Sequence, residues 1–177
     1  MKQRIITALI IAAILVPIIT INHPVVFGIF QGIVLLAVIL ASFEMLNMYE
    51  KEKKINKAVK LIIVILTVIT YLNIGGLVKP INFEKLPNFH LFTLELHPVI
   101  ITSFVTVIML SLLVFVDEFS GADIGKAFTI VNYVGLGFAS ITMLRYMGVR
   151  FIVYIALIAV MTDVFAYFVG MKIGKHK

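Results

Sequence analysis

Long apolar runs, broken by short polar punctuation, dominate the chain. A bilayer-crossing helix needs about 20 consecutive apolar residues. Six stretches reach that length or come close to it, near 5–21, 25–43, 59–78, 98–116, 127–144 and 151–171. The pattern predicts a polytopic all-α membrane protein with six transmembrane helices in a single membrane domain, 1–177. No internal repeat, low-complexity tract or linker divides it. The first run begins after Lys2 and Arg4 and continues to Ile21 with Pro17 inside it. No small-x-small cleavage site stands near Ile21, Asn22, His23 and Pro24. The run therefore reads as a retained span rather than a removed signal. Pro17 is expected to bend the helix or to pack at its outer end.

Composition supports the pattern. Of the 177 residues, 62% are hydrophobic and 14% charged, and the mean hydropathy is +1.12. Soluble domains hold roughly 45–50% apolar and 25% charged residues. The absence of cysteine excludes a disulfide framework and a thiolate metal site. The net charge of +6 does not call for nucleic acid, because basic residues of membrane proteins gather at the cytoplasmic face.

Charge also sets an orientation. With the N-terminus inside, eleven basic residues face the cytoplasm: Lys2, Arg4, Lys51, Lys53, Lys54, Lys57, Lys60, Lys126, Lys172, Lys175 and Lys177. Four face outward: Lys79, Lys85, Arg145 and Arg150. The split favours cytoplasmic N- and C-termini. Residues 79–97, with Pro80, Pro87 and several aromatics, read as an ordered external cap, and 47–57 as a charged cytoplasmic hairpin.

The chemistry concentrates in the last fifteen residues. Asp163 sits inside an apolar run, and an intramembrane acid is a functional-site hypothesis by default. On a continuous helix at about 100° per residue, Tyr167 lies about 40° from Asp163, Gly170 about −20° and Gly174 about 20°. One narrow face would then carry a carboxylate, a phenol and two glycines. Glycines at four-residue spacing admit another backbone or a phosphate. Lys172, Lys175 and Lys177 would lie at headgroup level. The competing reading is a small-residue packing face, with Asp163 hydrogen-bonded to a neighbouring helix and the lysines as anchors.

Other acids read more simply. Asp117, Glu118 and Asp123 could hold Mg²⁺ through oxygens, but a cap on the fifth helix by Ser120 or Asp123 explains them better. Glu44, at the end of the second span, is expected to pair with a lysine of the following hairpin. His23, His90, His97 and His176 fall on both sides of the membrane and form no single cluster. There is no Ser/His/Asp arrangement, P-loop, dinucleotide fingerprint or zinc signature.

Several of these segments resemble bacterial phosphatidate cytidylyltransferases, also called CDP-diacylglycerol synthases. The opening Lys2-Gln-Arg-Ile-Ile-Thr-Ala8, Phe43-Glu44 and Leu144-Arg145 fit that family. The strongest match is Thr162-Asp163-Val-Phe-Ala166-Tyr167-Phe-Val-Gly170, followed by Gly174-Lys175. Met171 stands where a basic residue is common in the family, and Lys172 compensates. The resemblance implies a multi-pass bacterial inner-membrane enzyme that joins CTP and phosphatidate into CDP-diacylglycerol and pyrophosphate with Mg²⁺. It makes Asp163, Tyr167, Gly170, Gly174 and Lys175 candidates for binding substrate or supporting the site, with Asp163 a candidate metal ligand. The family's later loop and its Asp-Arg-x-Asp signature do not occur here. The chain is therefore expected to stop short of the catalytic portion, and the 177 residues alone to be inactive. Phosphatidate and CTP are the expected partners, nucleic acid is not, and a homodimer is compatible with the sequence. Two other readings stay open: a six-span substrate-binding subunit of a transport system, and a membrane scaffold without a ligand.

Overall fold

A computed structural model describes residues 2–51, 54–75, 97–117 and 119–174. Its elements are α1 (Lys2–Thr20), α2 (Pro24–Glu50), α3 (Lys57–Gly75), α4 (Pro98–Phe115), α5 (Gly121–Ile130), a π-helical turn (Val131–Leu136), α6 (Gly137–Met147) and α7 (Val149–Ile173). Each of the six expected segments contains a helix. α5, the π turn and α6 run together as one. Five helical stretches among the described residues are long and apolar enough to cross a membrane: α2, α3, α4, the joined Gly121–Met147 and α7. This is an all-α, multi-pass membrane protein.

Local chemistry sets the helix starts. α2 and α4 both begin with His-Pro. The Nδ1 of His23 accepts from the Val25 N–H and that of His97 from the Val99 N–H, each followed by a proline at the first helical position. Proline suits that position because its missing N–H would have no intrahelical partner there. Inside the spans, hydroxyls bond back to carbonyls one turn earlier: Ser42 to Val38, Thr67 to Ile63 and Thr70 to Leu66. Such back-bonding satisfies polar groups where no water can.

α3 is the hub of the bundle. It packs against α2, α4, the π turn and α6. Its buried positions include Ile63, Leu66, Thr67, Thr70 and Tyr71, a stripe at helical spacing. α2 meets it with Val34, Val38, Ser42 and Leu46, and α4 with Ile101, Val105, Met109 and Leu112. The π turn crosses α3 at Gly135. A Cβ there would lie 3.2 Å from Thr70 Cγ2 and 3.3 Å from the Thr67 carbonyl oxygen. Only hydrogen fits that crossing without displacement. Gly135→Leu is expected to lower stability by about 1–3 kcal/mol through overpacking. Gly135→Ala should stay near neutral, its helix propensity offsetting a small shift. Thermal unfolding in detergent reads both, and an unchanged Leu variant would remove the close crossing as a determinant of the fold.

The chain departs from expectation at three places. α2 continues six residues past Glu44, so Glu44 lies within the helix and not at its end. Arg145, expected as an external charge, is buried in the last turn of α6. α7 leaves the bundle. Gly148 joins it to α6 at φ 139°, a conformation suited to glycine. α7 packs on α6 through its first turn, and every residue from Val153 to Lys172 is exposed. The expected external cap lies outside the described residues except His97.

Candidate functional site

α7 realises the face read from the sequence as far as Gly170. The helix is continuous from Val149 to Ile173, so Asp163, Tyr167 and Gly170 share one side. Asp163 is exposed and has no hydrogen bond or ion pair among the described residues. The packing alternative, which gave Asp163 a hydrogen bond to a neighbouring helix, therefore has no support among those residues. Tyr167 is exposed, its ring meeting Phe168 edge-on at 5.9 Å. Gly174 does not continue the face: it caps the helix at ψ 119°, its N–H donating to the Gly170 carbonyl at 3.0 Å. A Cβ at Gly174 would collide with that carbonyl. Lys172 stands in the last turn, where a cation complements the helix dipole. Lys175 and Lys177 lie outside the described residues, as does His176.

A second cluster of polar groups gathers where α2 meets α3 and α4 meets α5. Glu50 pairs with Lys60 and accepts the Ile55 N–H at 3.3 Å, which closes the charged hairpin. This corrects the pairing expected of Glu44, which has no ion pair among the described residues. Glu50 stands next to the hairpin, whereas Glu44 is about 9 Å further along the helix. Lys126 lies over the Tyr49 ring at 5.4 Å. A cavity of about 400 Å³ opens here, lined by Lys54, Asn56, Asp117, Phe119 and Asp123 among others. Asp123 does what the cap reading expected. Ser120 caps α5, and the Asp123 carboxylate accepts from the Ser120 backbone N–H at 2.9 Å and its hydroxyl at 2.8 Å. Asp123 thus serves helix initiation, and no group of three His, Cys, Asp or Glu converges on a metal position among the described residues.

Two further sites went unread in the sequence. At the opposite end of the bundle, Arg145 is 1% exposed. Its guanidinium donates to Asn22 Oδ1 at 3.0 Å and to the Ile21 carbonyl at 2.8 Å, and lies 4.2 Å over the Phe27 ring. Tyr146 packs against the same ring at 5.6 Å. Nearby, Tyr71 and Thr142 share a hydrogen bond of 3.3 Å between α3 and α6. Runs of polar residues at one end of an apolar span, such as Thr67, Thr70, Tyr71 and Asn73, were the available signal. The other site is a groove of about 730 Å³ between α2 and the π turn with α6. Met45, Met48 and Phe138 form apolar walls, and Glu44, Tyr133 and Ser140 supply polar groups. π turns recur at functional sites because they break the side-chain register of a helix.

No curated protein and no solved structure matches this chain. The model of the cytidylyltransferase family matches residues 2–177. With that match spanning nearly the whole sequence, and with membrane-length helices beneath it, the chain belongs to the cytidylyltransferase family.

Proposed function

We propose that this chain serves the transfer of CMP from CTP to phosphatidate, giving CDP-diacylglycerol and pyrophosphate in phospholipid biosynthesis. The observation that carries the reading is the family match over residues 2–177. Helices of membrane length support a lipid acceptor, since they hold the protein where such a lipid resides. In the reaction a phosphate oxygen of phosphatidate attacks the α-phosphorus of CTP. A P–O bond forms on that side, the bond to the bridging oxygen breaks on the other, and pyrophosphate leaves. Such transfers rest on positioning and on neutralising charge.

The Lys51–Lys60 hairpin and Lys126 mark the end of the bundle that meets CTP, which we place on the cytoplasmic side of a bacterial inner membrane. Lys172 belongs to the same basic set. Asp163, Tyr167 and Gly170 form the face of α7 proposed to support the site; Gly174 and Lys175 stay candidates on the family motif alone. Mg²⁺ enters through the family resemblance alone. Two-metal transfer needs several converging carboxylates, and the described residues bring no three metal-binding side chains together. Mg²⁺ stays an implication of the resemblance, and no step is assigned to the ion. The family match favours group transfer over the transport-subunit reading.

The test is nucleotide binding to the purified chain in phosphatidate-containing vesicles, with CTP and the other nucleoside triphosphates in parallel, alongside an assay for CDP-diacylglycerol. Selective binding of CTP is the expected result. Equal binding of all four triphosphates would overturn the reading. Turnover would support the transfer and show that the chain holds a complete set of catalytic groups.

A further inference from the structure

The groove between α2 and the π turn has no part in the transfer described above, and its chemistry does not suit phosphatidate. Glu44 is its one charged residue; no Lys, Arg or His is among the residues that line it. Neither the Glu44 carboxylate nor the Tyr133 phenol has a hydrogen-bond partner among the described residues, and Tyr133 is 74% exposed. Ser140 is engaged with the Leu136 carbonyl at 2.8 Å, and Asn132, also in the lining, with the Phe128 carbonyl at 2.8 Å. The groove therefore offers one strong acceptor, one phenolic donor and a long apolar wall. Its volume of about 730 Å³ lies inside the range of small-molecule sites, about 300–1,000 Å³.

Depth narrows the choice of ligand. Glu50, paired with Lys60, and Lys126 over Tyr49 mark the headgroup level. Glu44 lies six residues before Glu50, about 9 Å down the helix axis. A phosphate carried to that depth would meet a carboxylate and no cation, a like-charge contact in a medium of low dielectric. A zwitterionic head is anchored above it by its own phosphate. A glycerolipid without a phosphate has no such anchor, and its free hydroxyl sinks to the ester level.

We propose that this groove binds a neutral diacylglycerol. The free hydroxyl of the lipid donates to the Glu44 carboxylate, the Tyr133 hydroxyl donates to an ester carbonyl, and an acyl chain lies along Met45, Met48 and Phe138. Methionine walls adapt to a flexible chain. The hydroxyl donor gives the carboxylate a partner that it lacks among the described residues. The site stands apart from the CTP-binding reading and does not depend on it.

Photolabelling tests it. The purified chain is placed in phosphatidylcholine vesicles with a diacylglycerol that carries a diazirine in one acyl chain, irradiated, digested and mapped by mass spectrometry. Label at the exposed Phe104 of α4 reports ordinary lipid contact and serves as the reference. Label enriched on the Met45–Met48 and Phe138 peptides is expected, displaced by unlabelled diacylglycerol and not by an equal mole fraction of phosphatidate. Glu44→Leu and Tyr133→Phe are each expected to weaken that displacement about fivefold, the loss of one hydrogen bond. Both side chains are on the exterior of the bundle, and Ser140→Phe, also exterior, fills the groove and should bring its label down to the Phe104 level. Label no higher than at Phe104 would overturn the proposal. So would equal displacement by phosphatidate, or a Glu44→Leu variant that binds unchanged.

Discussion

Replacing Arg145 by alanine is expected to cost about 3 kcal/mol of stability, the largest single loss foreseen in the bundle. The guanidinium holds two acceptors on the α1–α2 connection, Asn22 Oδ1 and the Ile21 carbonyl, from the last turn of α6. Its Nε is buried without an acceptor among the described residues, so the fork is only partly satisfied. Hydrogen bonds from a charged donor contribute about 1.5–3 kcal/mol each, and the stacking on Phe27 about 1 kcal/mol. Desolvation of the buried cation opposes these, which keeps the net near 3 kcal/mol rather than at their total. Arg145→Lys should retain about half, because an ammonium cannot grip two acceptors in one plane or stack on the ring. Arg145→Met keeps most of the packing and removes every donor, so it separates the two contributions. Unfolding midpoints in detergent micelles read all three. If Lys equals Arg, the bidentate grip is not what joins α6 to the α1–α2 turn; if Ala is silent, Arg145 does not hold the bundle at all.

Arg145 also shows where reading the sequence reached its limit. Counting it as an outward charge treated it as a marker of topology; in the fold it meets the α1–α2 connection, at the end of the bundle opposite the Lys51–Lys60 hairpin. A charge count says nothing about burial. The folded backbone brings Ile21 and Asn22 to the guanidinium across more than a hundred residues of chain, a contact that no local pattern contains. Helices were legible because each apolar run has the length of a membrane span, and the start of α5 because Ser120 and Asp123 form a local cap. The α2 boundary was misread because hydropathy falls at Glu44 while helix propensity does not. Met45, Leu46, Met48 and Glu50 are good helix formers, and they carry α2 on to Glu50. The face of Asp163, Tyr167 and Gly170 was legible because it depends only on helical period. The detachment of α7 was not, because period says which residues share a face and not whether anything covers it. The π turn was equally hidden: Val131–Leu136 reads as an ordinary helical stretch, and the extra residue per turn arises where Gly135 must pass within contact of Thr67 and Thr70.

Asp163→Leu is expected to make α7 a better membrane helix by about 3 kcal/mol, more than a hundredfold in the insertion equilibrium. The acid sits two residues from the midpoint of Val149–Ile173, in an apolar helix whose residues from Val153 to Lys172 are all exposed. On the insertion scale an Asp at the helix centre costs about 2.5–3.5 kcal/mol, and Leu there contributes about 0.3–0.6 kcal/mol in favour. A glycosylation reporter with α7 as its test segment measures the inserted fraction directly. Asp163→Asn should recover only part of the difference, because the amide remains polar. A residue that opposes insertion this strongly without an interaction among the described residues has no account in the stability of the described bundle. Selective CTP binding is the readout that decides its role. If Asp163→Leu inserts better and loses the preference for CTP, the carboxylate belongs to the nucleotide site. If it inserts better and binds CTP as before, Asp163 leaves the proposed site, and the weight falls on the Lys51–Lys60 hairpin and Lys126. If insertion does not improve, α7 does not cross the hydrocarbon with Asp163 near its centre, and the six-span topology fails at its last helix.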